Sequence, residues 1–256
     1  MFNPIGLRIC QLLMLLQIFS YTDAVRTIAL GAFDTIGLPG PMIRMEAVAN
    51  GFSALGWTVA LAISFTSLAA LTPRIIYVLA GMMWFDVLTT WPLDMPLPDG
   101  FLYWGTVVAA VQAVIAYTVE RHLGSIAPSA LAVSRRLLLA IPIFIFGYSA
   151  ASVARGDFVS TALPEVVHQA HLIANSIEAV GWVLVFLMCG TRHASWAGRI
   201  ALVLIGMWLW DMLTTLPLDL PVPPGQQIWG PVSIVFLFFA VAPLLRVNIL
   251  KTPAKD

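Results

Sequence analysis

The stretch Gly81-Met82-Met83-Trp84-Phe85-Asp86-Val87-Leu88-Thr89-Thr90-Trp91-Pro92-Leu93-Asp94 returns 125 positions later as Gly206-Met207-Trp208-Leu209-Trp210-Asp211-Met212-Leu213-Thr214-Thr215-Leu216-Pro217-Leu218-Asp219. Around it, residues 74–105 match 199–230 at 18 of 32 positions without a gap. The register reaches upstream: Leu38-Pro39 with Leu163-Pro164, Asn50 with Asn175, and Gly56-Trp57 with Gly181-Trp182. Apolar composition alone does not put Asp, Asn, Pro and Thr at matched positions. The chain reads as a duplication, with units 1–125 and 126–256.

The solvent of these units follows from composition. Of 256 residues, 60% are apolar and 10% charged, against about 25% charged in a soluble domain. Mean hydropathy is +0.91. Thirteen basic and 13 acidic residues cancel, and no basic run is long, which excludes a nucleic-acid partner. Long continuous apolar runs, rather than ten-residue alternation, point to helices instead of a barrel. A bilayer core of ~30 Å needs about 20 apolar residues per helix. Eight stretches qualify: 5–22, 42–70, 74–91, 101–119, 131–152, 165–189, 199–217 and 227–250. The expected fold is all-α, polytopic and eight-span. It consists of two four-helix repeats, which are parallel because an even number of spans returns the chain to its starting side.

The basic residues sort by side. Arg8, Arg74, Arg121, Arg135, Arg136, Arg192, Arg199, Arg246, Lys251 and Lys255 fall at the termini and the even-numbered connections; Arg26, Arg44 and Arg155 fall opposite. Ten against three predicts cytoplasmic termini. Cys10 and Cys189 are too few for a disulfide framework or a thiolate metal site. His168 and His171, spaced i, i+3, make a metal-ligand pattern only with a further acid, and no metal or other cofactor is expected.

Four ionisable residues fall inside predicted spans at a common level, roughly 7–9 Å below the non-cytoplasmic edge at 1.5 Å per residue. They are Glu46, Asp86 and their repeat mates His171 and Asp211. A charge at membrane depth costs at least ~2.5–3.5 kcal/mol, so such residues face the bundle and are candidates for function. Glu46, Asn50, Ser53 and Trp57 form one helical stripe, and His171, Asn175, Glu178 and Trp182 form its counterpart. Trp84, Phe85, Trp91, Trp104, Trp208, Trp210 and Trp229 surround the level. Thr89, Thr90, Thr214 and Thr215 follow the aspartates and can bond either backbone carbonyls or the carboxylates.

This set favours proton transfer beside an apolar ligand. Burial disfavours the charged form of a carboxyl group, which keeps a general acid protonated near neutrality. Indole faces stabilise a developing cation. Asp86 with Glu46, and Asp211 with His171, are the candidate acid–base pairs. Asn50, Trp57, Trp84, Asn175, Glu178, Trp182, Trp208 and Trp210 are candidate substrate contacts. The expected chemistry is isomerisation or cyclisation of an isoprenoid through a carbocation. The rival reading is a lipid binder that needs the pocket but no proton donor. Buried Asp–His and Asp–Thr contacts also serve simply to hold helices together.

At Met45-Glu46, followed 40 residues later by Asp86-Val87-Leu88, the chain resembles the EXPERA family. That family includes the emopamil-binding sterol isomerases, the sigma-2 receptor type and the transmembrane-6 superfamily. Thr72-Pro73-Arg74-Ile75-Ile76-Tyr77 is similar to the family's start of its third helix. The resemblance covers spans 2–4 and, more sparsely, 6–8. It implies a sterol or other isoprenoid ligand, Glu46 and Asp86 in the pocket, and residence in the endoplasmic reticulum if the source is eukaryotic. In place of the His and Glu of the sterol isomerases' first helix, span 1 offers Gln11, Gln17, Ser20 and Tyr21. Gly56-Trp57 and Trp84-Phe85-Asp86 through Pro92 are also similar to the integral-membrane terpene cyclases of meroterpenoid pathways. Both resemblances imply protonation of an isoprenoid by buried acids.

Overall fold

The computed structural model describes residues 4–34, 37–93, 100–123, 125–126, 133–157, 165–218, 226–245 and 247–248. Asp94 and Asp219, which close the repeated stretch, lie outside them.

Among the described residues, nine α-helices fall on the eight apolar stretches. They are α1 (Pro4–Ala29), α2 (Gly40–Ile63), α3 (Thr72–Thr90), α4 (Phe101–Leu123), α5 (Val133–Leu138), α6 (Ala140–Ala154), α7 (Glu165–Met188), α8 (Ala194–Thr215) and α9 (Gln226–Val241). Ser125–Ile126 and Val247–Asn248 pair antiparallel over two residues each, the one sheet among the described residues. The fifth stretch breaks into α5 and α6 because Pro142 has no N–H for the Leu138 carbonyl and its ring collides with it. The last stretch ends early for the same reason. Pro243 cannot continue the hydrogen-bond ladder past α9, and residues Ala242–Leu245 tighten into a 3-10 turn. Pro73 sits in the first turn of α3, where a missing N–H costs nothing. The second stretch is shorter than predicted, since α2 stops at Ile63 and turns occupy 64–68.

Among the described residues, six helices are long and apolar enough to cross a membrane: α1, α2, α3, the stretch spanning α5 and α6, α7 and α8. The chain is thus an all-helical, multi-pass membrane protein. Their surfaces agree with that solvent. Leu12, Leu55, Phe144, Leu187 and Phe239 lie exposed, which water would penalise and lipid does not.

At the centre, α3 and α8 cross. Of their apolar windows 61% and 72% are buried, against 22–33% in the other four crossing helices. Gly81 and Gly206 allow it. A Cβ on Gly81 would strike the Val203 carbonyl oxygen, and a Cβ on Gly206 would strike the Val78 carbonyl oxygen. Small residues let helix backbones meet where no hydrophobic effect drives them together. These contacts, like Gly56 against Leu79 and Gly181 against Leu204, recur at the 125-residue offset. One turn further along, Phe85 and Trp210 stack across the crossing with ring centroids 4.2 Å apart. Helices α2 and α4 pack on α3, with α1 against both of them; α7 and α9 pack on α8, with α6 against α7. Between the two groups, α2 touches α8 and α7 touches α3.

Candidate functional site

Two residues of α2 and one of α3 begin the site. Glu46 and Asn50 are one turn apart on α2, and Asp86 lies one turn before the C-terminal end of α3. The Asn50 side-chain N–H donates to the Glu46 carbonyl at 2.7 Å. The threonines choose backbone over carboxylate. Thr89 Oγ1 donates to the Phe85 carbonyl at 2.7 Å and Thr90 Oγ1 to the Asp86 carbonyl at 2.5 Å. With those hydroxyls turned into the helix, the Asp86 and Glu46 carboxyls have no ion-pair partner among the described residues. The indole of Trp210 lies beside Asp86 with its N–H outside hydrogen-bonding geometry.

Both carboxyls line a cavity of about 220 Å³ enclosed by α1, α2, α3 and α4. Its polar wall is Gln17, Ser20 and Tyr21 of α1, with Asn50 and Thr90; Met42, Met83, Phe101, Trp104 and Val108 supply the apolar side. The α1 wall is held by Gln112 of α4, fully buried, whose side-chain N–H group lies 2.9 Å from Gln17 Oε1 and 2.7 Å from Tyr21 Oη. A polar side chain in an otherwise apolar helix finds its partners on neighbouring helices. At ~30 Å³ per water-sized group, the cavity holds about seven such groups. That is room for one end of a long lipid, below the ~300–1,000 Å³ of a pocket enclosing a drug-sized ligand.

The equivalent place in the other half is built differently. His171 Nε2 and Asp211 Oδ1 are 3.0 Å apart, and His171 Nδ1 is 2.8 Å from the Val167 carbonyl oxygen. Asn175 repeats the Asn50 bond, donating to the His171 carbonyl at 2.7 Å. Thr214 and Thr215 repeat the threonine pattern on the Trp210 and Asp211 carbonyls at 2.9 and 2.7 Å. Here the acid and its partner close on each other.

Of the predicted substrate contacts, only Asn50 lines the cavity with Glu46 and Asp86. Trp57 and Trp182 are fully buried core side chains, and the Trp182 N–H donates to Glu178 Oε2 at 2.9 Å. Trp84 packs beside Met83 and Val87. Trp208 stacks on Trp229 at 5.7 Å and donates to Ser233 at 2.8 Å, while Trp210 belongs to the central crossing. Gln112, Met42, Phe101 and Thr90 had no place among the predicted contacts. Thr90 after Asp86, the polar Gln17, Ser20 and Tyr21 of the first span, and Gln112 inside an apolar run are the signals of this wall legible in the sequence. Cys10 and Cys189 are buried and free. Among the described residues no group of three or more His, Cys, Asp or Glu gathers to hold a metal ion. A comparison with known protein families, with characterised proteins and with solved structures finds no match.

Proposed function

We propose that this chain is an eight-span membrane enzyme of two parallel four-helix units. It moves a double bond, or closes a ring, in an isoprenoid or sterol-like lipid by acid–base chemistry at Glu46 and Asp86. One observation carries the reading: two carboxyls on apolar helices, without ion-pair partners among the described residues, line a cavity whose other walls are mostly apolar and aromatic. The contacts that recur at the 125-residue offset support the two-unit architecture. The resemblance to the EXPERA family supports a lipid ligand. It would place the protein in the endoplasmic reticulum if the source is eukaryotic.

The chemistry needs one proton between the two carboxyls. The protonated member adds it to a carbon–carbon double bond of the substrate end seated in the cavity. The π electrons form the new C–H bond and leave a cation on the neighbouring carbon. Faces of Phe101 and Trp104 stabilise that cation. The carboxylate member then removes a proton from an adjacent carbon, and the electrons of that C–H bond form the shifted double bond. If a second double bond of the chain reaches the cation first, a ring closes before the proton leaves. Atoms and charge balance, and a proton passed between the carboxyls restores the starting state.

Purified protein incubated with farnesol, geranylgeraniol and a Δ8-sterol, with products read by mass spectrometry, tests this. Glu46→Gln and Asp86→Asn each lower turnover by about 100-fold or more, the usual contribution of a positioned acid or base. Wild-type turnover with both replaced overturns the reading. Loss of turnover from Asp211→Asn at an unchanged melting temperature moves the reaction to the second unit. Saturable binding of these lipids without any product at any pH returns the non-catalytic lipid-binding reading.

A further inference from the structure

A second cavity, of about 680 Å³, lies on the other face of α2, between α2, α3 and α8 and the end of α9. Its walls are apolar, and Leu55, Val59 and Phe238 on its rim are exposed, so it opens sideways where lipid lies. It runs from Leu202 to Leu213 along α8, about 16 Å at 1.5 Å per residue. That is close to one leaflet, half of the ~30 Å hydrocarbon core.

One cation stands in this groove. Arg74, the third residue of α3, is half-buried at the end where α2 and α9 also finish. It donates to the Leu245 carbonyl, and its Nε is buried with no hydrogen-bond partner among the described residues. None of the described carboxylates lies within ion-pair distance of it. It also sits in the first turn of a helix, where the macrodipole already favours an anion and disfavours a cation.

The other half shows how the same framework treats this arginine when the chain provides its partner. Arg199 is the repeat mate of Arg74. Its guanidinium makes two hydrogen bonds to Glu120, Nε to Oε2 at 2.9 Å and an NH2 nitrogen to Oε1 at 2.8 Å. Tyr77 Oη donates to the same carboxylate at 2.9 Å. The repeat mate of Glu120 is Leu245, which offers only a carbonyl, and the mate of Tyr77 is Leu202, which lines the groove. At Arg74 the chain has replaced the anion and its phenol with apolar side chains and left the cation.

We propose that this groove binds an anionic phospholipid of the surrounding bilayer, an acyl chain lying along α8 and the phosphate paired with Arg74. The depth fits: Arg74 lies at the end of α3, where a headgroup sits. So does the chemistry, since a guanidinium takes a phosphate bidentately. The site is separate from the Glu46–Asp86 cavity and stands whether or not that cavity is catalytic.

Native mass spectrometry of the full chain released from mixed detergent and lipid tests it. Phosphatidylglycerol and phosphatidylcholine with identical acyl chains are the probes. Wild type retains phosphatidylglycerol at least about fivefold better, the effect of one interfacial basic residue on an anionic lipid. Arg74→Gln erases the preference and Arg74→Lys keeps it, while the exposed Arg192→Gln leaves it unchanged. Val59→Trp, which fills the groove with the cation intact, lowers retention of both lipids and serves if Arg74→Gln fails to fold. Glycerol 3-phosphate at millimolar concentration does not compete. Equal retention of the two lipids by wild type, an unchanged preference in Arg74→Gln, or competition by glycerol 3-phosphate overturns the proposal.

Discussion

Asp86 and Asp211 stand at matching positions of α3 and α8, and in both cases the following threonines bond the backbone rather than the carboxylate. Their fates differ through a single partner. His171 reaches Asp211 at 3.0 Å, whereas the mate of His171 is Glu46, an acid that offers Asp86 no cation and instead shares a cavity with it. His171→Ala therefore strands Asp211, which is 3% exposed, as a buried acid. The expected cost is about 3–5 kcal/mol, seen as a lower melting temperature in detergent. Adding Asp211→Asn to His171→Ala recovers part of that loss, because the stranded charge goes with the residue. If the double variant is no more stable than His171→Ala, Asp211 does not depend on the imidazole. At the same scale, Gln112→Leu deletes the tie to Gln17 and Tyr21. It should lower the turnover proposed for the Glu46–Asp86 cavity by loosening the α1 wall, and product yield at matched melting temperature measures that.

Among the elements, α3 and α8 carry the architecture. Their backbones touch at Gly81 and Gly206, where any side chain meets a carbonyl of the other helix. Gly81→Leu or Gly206→Leu must push the helices apart. Overpacking of this kind costs about 1–3 kcal/mol. The two substitutions should not add, since the first already opens the gap the second needs; thermal denaturation of the singles and the double checks both statements. Elsewhere the elements followed the sequence closely where proline or apolar length governs. The division of α5 from α6 is written in Pro142, yet a continuous apolar run conceals it from a reading by hydropathy alone. The tryptophans resisted reading for another reason. An indole on the inner stripe of a helix can fill the core or face a cavity, and Trp57 and Trp182 fill the core.

For the molecule as a whole, the buried Tyr77–Glu120–Arg199 cluster ties α3 and α4 to α8. Glu120→Gln removes the charge that Arg199 needs and should lower the melting temperature by the equivalent of about 3–5 kcal/mol. Reporter fusions address the proposed topology. Tags at either end, and in the connection after α4, should all report from the cytoplasmic side; a tag after α4 reporting from the opposite side from the termini removes the four-plus-four arrangement. The sequence by itself determined the solvent, the apolar helices, the recurrence of residues 74–105 at 199–230 and the short set of ionisable residues. Apolar length, proline and matched polar positions are properties of the chain that need no neighbour to be read. Only the tertiary structure decided which acid meets a histidine, which meets a cavity, and which arginine keeps a carboxylate. Those outcomes depend on the rotation and spacing of helices far apart in sequence, and a change of one residue on the partner helix reverses them.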